Sequence, residues 1–197
     1  NGSFTEHDIA AATRVTAEFM TNANAHNCQR VIAVATESFR LAANGVAVAS
    51  HIERETGCQI KILLPEEENT LAWQAVANNF PNTDRLTTIA LSGGSLGISS
   101  GSLAGKTPTH NFSYPLGISI LAPRASQGGH IDTSTRIRLE HHIAESLKPA
   151  AAAIMESGDS SFVIVGGMPL AMTKLIHTVR RSEVPEYLNG LSVDCSD

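Results

Sequence analysis

Residues 30–68 read RVIAVATESFRLAANGVAVASHIERETGCQIKILLPEEE, and the order of element types within them decides the fold. Arg30 to Thr36 is a β-branched run of the length of a buried strand, followed by a polar turn. After Asn44-Gly45, the residues Val46, Ala49, Ile52 and Glu53 recur at helical steps, and Gly57 stands where a helix commonly ends in a left-handed cap. Cys58 to Leu64 is a second strand. Pro65-Glu66-Glu67-Glu68 then opens a second helix, with proline and acids where a first turn favours them. Strand, helix, strand, helix predicts a parallel α/β arrangement.

Towards the N-terminus, Ile9, Ala12, Thr16, Phe19, Met20 and Ala23 predict a further helix, and Thr5 with Asp8 resembles a capping box. Towards the C-terminus the character changes near Phe80-Pro81-Asn82. LTTIAL (86–91) and GISSG (97–101) flank a Ser/Gly turn as a hairpin, and HNFSYPLG (110–117) adds an extended segment, so this sheet is partly antiparallel. Thr133 to Met155 reads as a long helix in which Pro149 predicts a kink or break. SFVIVGG (161–167) is an apolar strand ending in a Gly pair, with a helix over Pro169 to Thr178. Two lobes are expected, residues 1–79 and residues 80–197.

With 42% hydrophobic residues in 197, the chain can bury a sizeable core. A net charge of −5 argues against a broad grip on nucleic acid, which needs a basic face. Cys28, Cys58 and Cys195 are odd in number and widely spaced, which disfavours a disulfide framework or a zinc site and implies a reducing compartment. No window approaches the roughly 20 apolar residues of a membrane span, and no signal segment opens the chain, so a cytoplasmic location away from membranes is expected.

Three turns follow strands: Thr36-Glu37-Ser38 with Arg40, Ser92-Gly93-Gly94-Ser95, and Gly166-Gly167. Glycines let successive N–H groups converge on one anion, although each turn alone also fits an ordinary tight turn. Arg40 offers a fork of donors to phosphate oxygens, with a solvated surface arginine as the alternative. Glu66-Glu67-Glu68 is the densest carboxylate cluster, suited either to orienting a water or to complementing a helix dipole. His141 and His142 diverge on a helix and cannot grip one metal.

These motifs resemble the exopolyphosphatase and guanosine-pentaphosphate phosphohydrolase family, a branch of the actin, sugar kinase and heat-shock ATPase group. VIAVATESFRLAANG is similar to that family's Ala-Thr-Ser-Ala-x-Arg-x-Ala-x-Asn-Gly signature, onto which Ala35, Thr36, Arg40, Ala42, Asn44 and Gly45 fall. RETGCQIKILLPEEE resembles its Glu-Thr-Gly, strand and Gly-x-Glu-Glu succession, matched by Glu55, Thr56, Gly57, Glu67 and Glu68. SYPLG (113–117) looks like its Ser-x-Pro-Leu-Gly strand, and VIVGGMPLAM (163–172) like its final Gly-Gly-Thr turn. The resemblance implies an α/β, ribonuclease H-like fold with a mixed sheet, flanking helices and two lobes, phosphate lying in the cleft between them. It makes residues 1–79 the second half of a first lobe. It implies Mg²⁺-dependent release of terminal phosphate from polyphosphate or guanosine pentaphosphate, and it allows a homodimer. By the same carry-over Glu67 positions the water. Thr36, Arg40, Ser92, Gly93, Gly94, Ser95, Gly166 and Gly167 hold phosphate, and Glu68 is the candidate metal ligand.

The departures qualify the activity. The family's central loop, Asp-x-Gly-Gly-Gly-Ser-Thr-Glu, aligned on Gly93-Gly94-Ser95, sets Ala90 at its Asp, Ser92 at its first Gly, Leu96 at its Thr and Gly97 at its Glu. Glu37 replaces a Ser, Pro65 a Gly and Met168 a Thr, and the chain begins after the family's opening phosphate hairpin. The expectation is therefore a divergent member or fragment that binds phosphate or polyphosphate with weakened or lost hydrolysis. The alternatives are a working Mg²⁺-dependent phosphohydrolase with ligands from Glu67 and Glu68, and a regulatory or assembly module that is not catalytic.

Overall fold

Thr5 closes the first helix, α1 (Glu6–Ala25), in the expected capping box: its hydroxyl accepts the Asp8 N–H at 3.2 Å while the Asp8 carboxylate accepts the Thr5 N–H at 2.9 Å. The computed structural model describes residues 2–80, 83–125, 131–158 and 161–180, so Cys195 and Pro81-Asn82 lie outside the described residues. The chain divides into two compact units, Asn1–Glu68 and Asn69–Asp197.

In the first unit α1 packs on α3 (Gly45–Thr56), which ends at Gly57 in the left-handed conformation, as expected. Strand β1 (Ala33–Ala35) pairs in parallel with β2 (Ile60–Ile62). The strand expected over residues 30–36 is shorter because only three residues find a partner. The turn expected after it is instead a short helix, α2 (Glu37–Leu41), whose opening Thr36 carbonyl accepts the Phe39 and Arg40 N–H groups. Ala35, Val48, Ala49, Ile52, Cys58 and Leu63 are the buried apolar residues of this unit. Asn44 ties down the incoming chain, accepting the Phe4 N–H and donating to the Phe4 carbonyl, both at 2.9 Å.

Helix α4 (Pro65–Ala77) begins at the expected proline, and the division between units falls inside it. Its Trp73 and Val76 bury with Leu86 of β3 (Arg85–Leu91), and the Trp73 indole N–H donates to the Leu86 carbonyl at 3.0 Å. That burial draws the unit boundary ahead of residue 80, where the composition changes. Strands β3 and β4 (Leu96–Ser102) form the expected antiparallel hairpin, with β5 (His110–Tyr114) antiparallel on β4. An eight-residue helix absent from the sequence reading, α5 (Ile118–Ala125), follows β5. Next comes α6 (Thr133–Glu156), capped by Asp132; of the kink or break expected at Pro149, the break does not occur, and the helix continues through it. Strand β6 (Ser161–Val165) pairs in parallel with β3, giving a mixed sheet in the order β5-β4-β3-β6, and α7 (Gly167–Val179) closes the described part. Among the described residues no helix is long and apolar enough to cross a membrane.

Candidate anion site

In the second unit the parallel strands β3 and β6 end side by side, Ala90 opposite Val165, and each is followed by one of the glycine turns. Gly166, at φ 124°, lies so close to β3 that a Cβ on it would stand 2.5 Å from the Leu91 carbonyl oxygen. Only glycine fits there without strain. It brings the Ser92–Ser95 turn and the start of α7 to one end of the sheet. Helix α7 has Gly166 as its N-cap with no side-chain cap, so its first N–H groups keep their positive end for a ligand.

The turn has a defined polarity. Its carbonyl oxygens at Ser92, Gly93 and Gly94 accept the N–H groups of Ile118, Ser119 and Gly117 at 3.4, 2.6 and 3.1 Å. Ser92 and Ser95 close the turn themselves, the Ser92 N–H donating to the Ser95 carbonyl and the Ser95 N–H to the Ser92 hydroxyl. Among the described residues the N–H groups of Gly93 and Gly94 meet no acceptor. The carbonyls of the turn are thus fixed, while two of its N–H groups are unspent. The same contacts use up the donors at the start of α5.

The first unit holds a separate charged cluster. Arg40 on α2 donates from Nη1 to the Leu63 carbonyl at 2.7 Å and to Glu68 Oε2 at 3.0 Å, bracing α2 against the end of β2 and the start of α4. Both bonds leave from one nitrogen, so Nε and Nη2 remain for a ligand. Burial holds the Glu37 carboxyl above the usual range, the nearby Arg40 opposing that rise and Glu68 adding to it. Glu67 turns elsewhere. It accepts Lys61 Nζ at 2.5 Å and the Leu64 N–H at 2.9 Å, contacts that cap α4 and hold its carboxyl below the usual range.

Of the residues expected at the site, Ser92, Gly93, Gly94, Ser95, Gly166 and Gly167 therefore come together in one unit, and Thr36, Arg40 and Glu68 in the other. Glu67 faces Lys61 rather than Arg40. Sequence reasoning missed Gly117 and Ser119 as supports of the turn. The Pro115-Leu116-Gly117 sequence was the available signal, since a Cβ on Gly117 would collide with the Gly93 and Gly94 backbone.

A model of the Ppx/GppA phosphatase family matches residues 1–183. Exopolyphosphatase 1 of Mycobacterium leprae is 25% identical over 165 residues, covering 83% of this chain and 48% of that protein. Its counterpart in Mycobacterium tuberculosis is 34% identical over 101 residues, 51% of this chain and 29% of that one. The crystal structure of the Ppx/GppA family member of Aquifex aeolicus superposes with a TM-score of 0.74 at 23% identity, over 93% of this chain and 57% of that one. An exopolyphosphatase structure from Cytophaga hutchinsonii gives a TM-score of 0.78 at 18% identity, over 94% and 59%. The fold is thus the actin-like, ribonuclease H-like one expected from the sequence. The chain spans about half the length of the Mycobacterium leprae protein.

Proposed function

Because the chain belongs to the Ppx/GppA phosphatase family, we propose that it binds the phosphate groups of a polyphosphate or guanosine-pentaphosphate chain, with hydrolysis weakened or lost. The observation that carries this reading is the polarity of the Ser92–Ser95 turn, whose carbonyls are spent on residues 117–119 while the Gly93 and Gly94 N–H groups are left unspent, at the end of the sheet where the uncapped α7 also starts. Backbone donors and a helix terminus suit phosphate oxygens and select for no base or sugar. Arg40, with one edge of its guanidinium unspent, is a separate candidate phosphate contact within the first unit. Hydrolysis asks for more than binding, since charge accumulating on the phosphoryl oxygens must be neutralised and a water oriented. At the second cross-strand pair from the turn this chain has Ala90 and Gly97, neither of them a carboxylate.

Calorimetric titration with medium-length polyphosphate tests the reading. Saturable binding is expected, and Arg40→Ala should weaken it by about tenfold or more, the loss of one charge-assisted contact. Because Arg40 also braces α2, the comparison belongs well below the melting temperature of the variant. Unchanged affinity in Arg40→Ala removes Arg40 from the site, a flat trace with the native chain removes the phosphate reading, and continuing heat with phosphate release marks a working phosphohydrolase.

A further inference from the structure

We infer that the turn of the second unit takes its phosphate through backbone donors alone, with no magnesium ion held by the protein at the strand ends; this rests on the phosphate reading above. A hard divalent cation needs about six oxygen ligands, and proteins supply the anionic ones as carboxylates. The two cross-strand rows nearest the turn are Ser113, Gly97, Ala90 and Val165, then Tyr114, Leu96 and Leu91. They contain no carboxylate. Among the described residues no three His, Cys, Asp or Glu side chains stand close enough together to share a metal. In the first unit the two candidate suppliers are each already paired with a cation, Glu67 with Lys61 and Glu68 with Arg40.

Gly97 shows that the space itself has been given away. A Cβ there would collide with Asn69 Oδ1 and lie 2.6 Å from Asn69 Cγ and 2.9 Å from Nδ2. Asn69 is buried and cannot swing aside freely, because its Nδ2 donates to Asn111 Oδ1 at 3.0 Å and to the Phe112 carbonyl at 2.8 Å. A side chain at position 97 therefore displaces that carboxamide and strands buried polar groups. The carboxamide of α4 occupies the volume that a side chain at position 97 of β4 would need. A family phosphatase's magnesium does not fit these residues. Magnesium in solution would instead compete with the Gly93 and Gly94 N–H groups for the same phosphate oxygens.

The test titrates inorganic tripolyphosphate into the native chain, once in EDTA and once in millimolar Mg²⁺. An affinity in EDTA equal to or greater than that in Mg²⁺ is expected. Binding seen only with Mg²⁺, or about tenfold tighter with it, overturns the inference and leaves the phosphate reading standing. No binding in either buffer overturns the phosphate reading and the inference with it. A second measurement addresses the filled space without any ligand. Gly97→Ala should lower the melting temperature, and by less when Asn69→Ala has already removed the carboxamide. An equal loss in both backgrounds shows that Asn69 does not block position 97 and overturns the inference.

Discussion

Glu67 and Glu68 meet different partners because one step along a helix turns a side chain by about 100°. Glu68 lies on Arg40, and Glu37 adds a second negative charge to the same neighbourhood. Both oppose the approach of phosphate to that guanidinium. Glu68→Gln should therefore raise polyphosphate affinity by about two- to fivefold, a partly screened unit charge's worth. Glu67→Gln should leave affinity unchanged and lower the melting temperature, since it loosens the Lys61 pair and the α4 cap. A weaker-binding Glu68→Gln protein would mean that Glu68 instead holds Arg40 in its binding pose. The pH dependence has a definite sign. Glu37 titrates above the ordinary range in the folded chain, so its favourable contribution to stability is full below that range and fades as pH rises through the folded value. Its protonation also removes a charge beside Arg40, so affinity measured by titration should rise as pH falls through that same value. The sequence identified the acidic cluster but not which glutamate faces Arg40. Three consecutive glutamates at a helix start look alike in one dimension, and only the docking of α4 tells them apart.

Elements in this protein are positioned by contacts that local pattern does not encode. The start of α5 is fastened to the Ser92–Ser95 turn through the Gly117, Ile118 and Ser119 N–H groups, and the lack of a Cβ at Gly117 lets the two backbones touch. Gly117→Ala should push them apart, destabilising the protein by about 1–3 kcal/mol, the usual range for overpacking. It should also weaken polyphosphate binding by displacing the Gly93 and Gly94 N–H groups proposed to hold phosphate. Thermal melting and titration of the same variant check both. A destabilised variant with native affinity would show that the turn binds nothing, whereas native stability would show that the contact is soft. The β3–β4 hairpin was legible, because two short extended runs flanking a Ser/Gly turn specify it locally. Helix α5 was not. Eight residues with an internal Pro123 carry little helical signal, and the hydrogen bonds that start the helix come from a turn more than 20 residues earlier. At Pro149 the missing N–H suggested a kink or a break, and of these the break does not occur: α6 continues on both sides of it, with Ala150 buried immediately afterwards.

At the scale of the whole molecule, a chain of net charge −5 is expected to recognise one of the most densely charged anions in biology. Two kinds of attraction can overcome that repulsion, and ionic strength separates them. A basic surface attracts phosphate by releasing condensed counterions, roughly one per contact, which makes affinity fall steeply with salt. The candidate contacts are one arginine, Arg40, in the first unit and, in the second, fixed N–H dipoles in the Ser92–Ser95 turn and at the start of α7. Dipoles release few ions, and salt also screens the repulsion from the remaining acids. A plot of log affinity for polyphosphate against log salt concentration should therefore have a slope between about −1 and 0. A slope steeper than about −3 would require several cations acting together and would move the binding surface away from both glycine turns. The strand–helix alternation exposed the α/β class in the sequence because period and order are local properties. The polarity of the Ser92–Ser95 turn was hidden, since it depends on which way three carbonyls point once β5 and α5 have returned to the hairpin.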